Sequence, residues 1–264
     1  MFAVALVIVA TTAIVFGVAL VRAGRRPEQV AAAATEFATS APGIMTAAVV
    51  SSAVLTAVAL VSARRQARNV RELLRLGPGR ATATGIGAAV VAMGGITFAS
   101  GTTIDLFGLR GQSALGAIAQ ALGHVPRGQL ALAMATIAIA PGAAEEIFFR
   151  GFIQTWLTSK WGRWPSILAT AAGFGLMHFD LAQGSAAFFA GLLLGWLVER
   201  FGSIRPSIAV HMFNNAVFVA WTSFGSGPSS ARSGEIAVLA TSAVALVGAV
   251  LVLQSKLAVR SVAA

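Results

Sequence analysis

Three observations predict an all-α fold, a polytopic transmembrane bundle of about eight helices. Of 264 residues, 57% are hydrophobic and 11% charged, where an average soluble domain carries about 25% charge. Mean hydropathy is +0.82. The apolar residues fall into several runs near the roughly 20 residues that a helix needs to cross a bilayer. Together these exclude a soluble enzyme, a disordered chain and a disulfide scaffold. Cys and Tyr are both absent, which also excludes thiolate catalysis, Cys-ligated zinc and phenolic proton transfer. Three histidines and nine carboxylates make up the whole acid–base inventory. The formal charge of +10 has its partner in the lipid bilayer, through basic loops facing anionic headgroups, and no nucleic-acid partner is expected.

In chain order the apolar runs are 2–21, 43–63, 81–100, 129–149, 165–181, 185–199, 206–223 and 235–254. No Lys or Arg precedes the first run. It is also longer than the 7–15 residues of a signal-peptide core, so a retained helix is expected. Segments 22–42 and 101–128 have room only for short surface helices, and Arg64 to Arg80 could form an amphipathic one. In the fourth run, Pro141 and Gly142 precede a pair of glutamates by one turn and should bend or loosen the helix. The fifth and sixth runs are short for spans and should sit obliquely or extend into their flanks. Gly191 and Gly195 in the sixth form a small-xxx-small pattern suited to close helix packing. The chain reads as one domain, 1–264, whose polar motifs cluster in about 130–220. With both termini inside, the inner segments carry 13 basic residues, Arg150 among them, and the outer segments 6, as the positive-inside rule asks, although the Arg22, Arg25 and Arg26 cluster would fit better if the first helix ran the other way. Multi-pass insertion in a cell membrane follows, and 17 Arg against 2 Lys suggests a bacterial plasma membrane.

Most carboxylates lie in loops, but Glu145 and Glu146 lie within the apolar stretch LALAMATIAIAPGAAEEIFFRGF. One charge at the centre of a spanning helix costs about 2.5–3.5 kcal/mol on insertion scales. Intramembrane acids are therefore functional by default. Glu146 and Arg150 are four apart and can pair on one helix face. Glu145 then points about 100° away, free for other work. Two merely solvated interfacial glutamates are the alternative, and the apolar residues that follow, as far as Trp156, weigh against it. His178 closes the run ILATAAGFGLMHF, with Phe174 four residues earlier on the same face. Asp180 reads as a loop or helix-end polar group. In RPSIAVHMFNNAVFVAW, His211 and Asn215 are one turn apart and point the same way, while Asn214 lies off that face. Such a pair is either interhelical glue or a pair of hydrogen-bond donors. His124, in a loop, is assigned no role.

Glu145-Glu146 to Arg150 (EExxxR), Phe174 to His178 (FxxxH) and His211 to Asn215 (HxxxN) stand in that order on three apolar segments. The set resembles the CPBP intramembrane proteases, which include type II CAAX prenyl endopeptidases and bacterial members tied to bacteriocin processing, immunity and lysostaphin resistance. The first three helices and the last carry no matching motif. The resemblance implies a CAAX-protease-like bundle and an endopeptidase acting on a membrane-associated peptide or protein. It implies that Glu145 is the general base for an attacking water and that His178 helps hold that water. His211 and Asn215 would donate to the oxyanion, with Glu146, Arg150 and Phe174 in supporting positions. No cofactor is favoured. If zinc is used, Glu145, His178 and His211 would be its ligands, but HExxH is absent, and an Asn one turn after His211 suits an oxyanion hole better.

Two other functions fit parts of the pattern. A transporter or channel would use Glu145, Glu146 and Arg150 on an ion path, but it predicts broken helix pairs and related halves, which the sequence does not display. A non-catalytic membrane scaffold, such as an immunity-type protein, makes no demand on Glu145. The drawn topology also poses a geometric problem. His178 falls near the outer end of its helix and His211 near the inner end of its own, so they meet only if helices shift or run further than the apolar runs suggest.

Overall fold

Helices form wherever the apolar runs lack Gly or Pro interruptions strong enough to stop them, and they end at identifiable caps. The computed structural model describes residues 24, 26–66, 69–224 and 232–259. The expected first span, 2–21, lies outside them. Ten helices follow: α1 (Pro27–Thr39), α2 (Ala41–Gln66), α3 (Val70–Leu73), α4 (Ala83–Leu106), α5 (Ala114–Gly123), α6 (Arg127–Trp161), α7 (Arg163–Leu176), α8 (Leu181–Phe201), α9 (Arg205–Phe224) and α10 (Arg232–Gln254). Among the described residues there is no strand, only an isolated bridge between Ala81 and Val259. The all-α membrane bundle is therefore the fold.

Among the described residues, five helices are long and apolar enough to cross a membrane: α2, α4, α6, α8 and residues 235–254 of α10. The fifth and seventh expected spans do not qualify. At 14 residues, α7 is about 21 Å long, well short of a hydrocarbon core of about 30 Å. Helix α9 has the length, but Arg205, His211, Asn214 and Asn215 lower its hydropathy. The fourth run is longer than its apolar stretch. As α6 it continues from Arg127 to Trp161, 35 residues, so Arg150 is an intrahelical residue and drops out of the loop tally, whose sign is unchanged. Arg64 to Arg80 do not form one amphipathic helix. They comprise the end of α2, the four-residue α3 and an extended stretch, with Arg75 at φ 50°.

Within α6, two segments widen to π-helical turns, Met134–Ile139 and Glu146–Gln154, on either side of the α-helical Ala140–Glu145 that contains Pro141. Wide turns of this kind concentrate at functional sites, and here they occupy the region where Pro141 and Gly142 predict a loosened helix. Gly162, at φ 77°, separates α6 from α7. Asp180 caps α8, accepting from the Gln183 amide at 2.6 Å, and its other oxygen accepts from the Ala114 amide at 2.9 Å, joining α8 to the start of α5. Gly202, in the left-handed region at φ 72°, ends α8.

Three buried apolar clusters hold the elements together. One joins α4, α8, α9 and α10 around Met93, Leu194, Leu197 and Phe201. A second joins α2, α5, α6 and α9 around Met45, Leu122 and Val219. The third, Phe148, Phe149 and Phe174 with Ala59, lies between α2, α6 and α7.

Candidate active site

The EExxxR segment meets the other motifs where α6 crosses α7, α8 and α9. The crossing with α9 is close because residue 142 is glycine. A Cβ there would stand 3.1 Å from the Met212 backbone, one residue beyond His211.

Glu146 and Arg150 are both fully buried, and Arg150 Nη1 donates to Glu146 Oε1 at 2.8 Å. Two further donors complete the carboxylate. His211 Nδ1 lies 3.0 Å from Oε1, and Ser207 Oγ donates to Oε2 at 2.7 Å. A buried ion pair survives desolvation only when its remaining lone pairs and protons are also satisfied, and Glu146 meets that condition. Arg150 is held from three more directions. Its Nη2 donates to the Gly191 carbonyl at 3.2 Å, and its Cζ lies 4.5 Å from the Phe174 ring centre and 5.9 Å from that of Phe149. Its Nε has no hydrogen-bond partner among the described residues, and the guanidinium's contact with the two rings adds cation–π attraction.

Glu145 is the less enclosed of the two acids. Its Oε2 lies 3.6 Å from His211 Nε2, beyond hydrogen-bond length. His211 thus stands between two carboxylates, one nitrogen toward each. Because a carboxylate accepts, the contact with Glu146 assigns the proton to Nδ1, and Nε2 faces Glu145. The second imidazole within electrostatic reach of Glu145 is His178. It does not lie inside α7 as expected, but in the turn just after it, before Phe179 at φ 51°. Its Nδ1 donates to the Phe174 carbonyl at 2.8 Å, which directs Nε2 away from its own helix. The Phe174 ring bridges the two imidazoles, edge-on to His178 at 5.1 Å and to His211 at 5.7 Å between ring centres. His178 and His211 thus meet at the Phe174 ring, with α7 ending at Leu176 just before His178.

Asn215 is half-buried and has no hydrogen-bond partner among the described residues. Its neighbour Asn214 accepts from Thr97 Oγ1 at 2.6 Å and ties α9 to α4, the interhelical role that the sequence left open for this helix. Asp180 is a helix cap with no bond to His178. The His124 ring lies against the Gln120 carbonyl of the preceding helix turn, at 2.7 Å.

Two parts of the site were missed in the sequence. Ser207 lies one turn before His211 on the same face of α9, so the spacing that pairs His211 with Asn215 also points to it. The other is a continuation of the α6 polar row. At Gln154, one turn past Arg150, Nε2 donates to the Gly195 carbonyl at 2.9 Å and to Glu199 at 3.0 Å. Glu199 in turn accepts from Arg75 at 2.8 Å. Glu146, Arg150 and Gln154 recur every four residues, and that period was the available signal.

Zinc would require Glu145, His178 and His211 to converge as ligands. Among the described residues no three His, Asp or Glu side chains are grouped to hold a metal ion. His211 Nδ1 is committed to Glu146, and its Nε2 stays toward Glu145.

Residues 127–217 match the family model described as Type II CAAX prenyl endopeptidase Rce1-like. That segment takes in all three motifs. Comparisons with curated proteins and with solved structures give no match.

Proposed function

We propose, from the match of residues 127–217 to the Rce1-like type II CAAX prenyl endopeptidase model, that this membrane protein is an intramembrane endopeptidase in which Glu145 activates the attacking water. The observation that carries the reading is the division of labour between adjacent acids. Glu146 is saturated by Arg150, Ser207 and His211, whereas Glu145 keeps its lone pairs for a substrate-side proton. A general base must be available to the proton it takes, and only one of the two acids is.

In the proposed reaction, water attacks the scissile carbonyl carbon and gives its proton to Glu145. The C=O π electrons move onto oxygen. Asn215 Nδ2 donates to that oxyanion without any change of protonation. His211, with Nδ1–H committed to Glu146, brings Nε2 to the same oxyanion. His178 Nε2 accepts from the water and holds it. Collapse of the tetrahedral intermediate expels the amine, which takes the proton from Glu145. Fixed donors in a water-poor cavity suit this charge development. Glu146, Arg150 and Phe174 position His211 and the α6–α7 crossing. The substrate is a membrane-associated peptide or protein, and the reaction is metal-free.

The test is cleavage of a membrane-tethered peptide reporter by the purified protein in proteoliposomes. Glu145→Gln is expected to reduce the rate by about 10²–10⁴ at unchanged helical content, and a chelator is expected to leave the wild-type rate intact. Cleavage by Glu145→Gln at the wild-type rate would overturn the mechanism, and chelator-sensitive cleavage would overturn the metal-free form.

A further inference from the structure

Helices α8 and α10 both pack on α4, and on the far side of α8 from the acids the wedge between them is a cavity of about 780 Å³. Its walls are apolar, from Ile96 through Phe189 and Leu192 to Leu246 and Val250. Its charge is confined to one end, where Arg163 opens α7, Arg200 lies in the last turn of α8 and Gln254 closes α10, while Ser100, Thr103 and Ser185 line the other end. Two tryptophans, Trp164 and Trp196, border the same cavity, as expected where a protein surface meets the headgroup layer.

Neither guanidinium is neutralised there. The Arg163 contact is the Trp164 ring, 5.2 Å from Cζ. Arg200 spends Nε and Nη2 on the carbonyls of Leu253, Gln254 and Ser255, and these carry no net charge. No carboxylate is among the lining residues, and the adjacent Glu199 is turned away toward Arg75 and Gln154. The cavity therefore presents two positive charges above a long apolar slot. From Ser185 to Arg200 the α8 wall runs about 22 Å, more than the roughly 15 Å of one leaflet's hydrocarbon.

We infer that this wedge is a binding site for an anionic phospholipid, its phosphate between Arg163 and Arg200 and an acyl chain laid along Phe189, Leu192 and Leu246. The charge is complementary. The basic end also lies on the side where the positive-inside tally puts the anionic leaflet. The inference does not depend on the protease reading and is tested without any activity.

The experiment uses the full-length protein in nanodiscs containing dibrominated phosphatidylglycerol or dibrominated phosphatidylcholine as a minor component, read as quenching of tryptophan fluorescence. Phosphatidylglycerol is expected to quench at lower mole fraction. Arg163→Gln is expected to reduce that preference about five-fold, the worth of one basic residue at an anionic surface. Leu192→Phe/Val250→Phe, which fills the slot, keeps both arginines and adds no tryptophan, is expected to abolish saturable quenching by either lipid. Helical content of both variants is checked by circular dichroism. Equal quenching by the two lipids would mean ordinary annular lipid and overturn the proposal. So would an unchanged preference in a folded Arg163→Gln protein.

Discussion

Arg150 is the residue on which the acids depend. It is fully buried, and among the described residues its ion-pair partner is Glu146. Removing one partner of a buried pair costs about 3–5 kcal/mol, because the other charge is left stranded, whereas an apolar replacement of both can be nearly neutral. Arg150→Ala is therefore expected to lower the thermal unfolding midpoint in detergent far more than the double variant Glu146→Gln/Arg150→Met. Equal losses would mean that the pair carries no special weight. Asn215, by contrast, makes no bond that the fold would miss. Asn215→Ala should leave the midpoint unchanged and reduce kcat for reporter cleavage about 10²–10³-fold, as for loss of one oxyanion donor. At this scale the sequence was informative. Glu146 and Arg150 were readable as a pair because four residues is one helical turn, and Glu145 was readable as the free acid for the same reason. Ser207 and Gln154 were not singled out, because a serine or glutamine in an apolar helix costs little by itself and marks a site only once its neighbour is known.

Helix packing around the site depends on glycine in two different ways. Gly191 and Gly195 were read as a close-packing stripe. In the structure their absent side chains make room for α6 side chains: a Cβ would come within 3.0 Å of Arg150 Nη2 at residue 191 and 2.8 Å of Gln154 Oε1 at residue 195. The tightest backbone crossing of α7 and α8 is elsewhere, at Gly175 and Gly184, where a Cβ on either would lie 2.6–2.7 Å from the other's carbonyl oxygen. Gly184→Ala must push the two backbones apart. It is expected to destabilise by about 1–3 kcal/mol, as overpacking does, and to reduce cleavage by shifting His178. Gly248→Ala in α10, with open space around it, should leave the unfolding midpoint unchanged or slightly raised. Thermal unfolding of the two variants side by side checks both. Element boundaries were less legible than element identities. Polar residues such as Arg150 and Gln154 ended the apolar run without ending α6, because their partners on α8 satisfy them. His178 fell outside α7 because the chain turns there to reach the Asp180 cap.

At the scale of the molecule, the elements alternate in direction so that the ends of α2, α6, α8 and α10 gather with Arg75, Arg80 and Arg200, while α5 and the Asp180 cap lie at the other end. The positive-inside reading assigns the arginine end to the cytoplasm. A chain without cysteine allows this to be checked directly by labelling intact cells with a membrane-impermeant maleimide. A cysteine at Gly108, beyond α4, is expected to react, and one at Gly162, between α6 and α7, is expected to react only after lysis. The reverse pattern would invert the topology. Which helices converge was not legible from any one motif; it rests on contacts between them, Glu146 of α6 with Ser207 and His211 of α9 and the Phe174 ring of α7 against His211. The central claim is that this convergence serves a water-activating Glu145. A single turnover of the membrane-tethered peptide in H₂¹⁸O tests it most directly. The account predicts one ¹⁸O in the new C-terminal carboxylate from the first turnover, and a rate at least about 10²-fold lower for Glu145→Gln. A first-turnover product without ¹⁸O, which would make a side chain the nucleophile, or undiminished cleavage by Glu145→Gln, would contradict it.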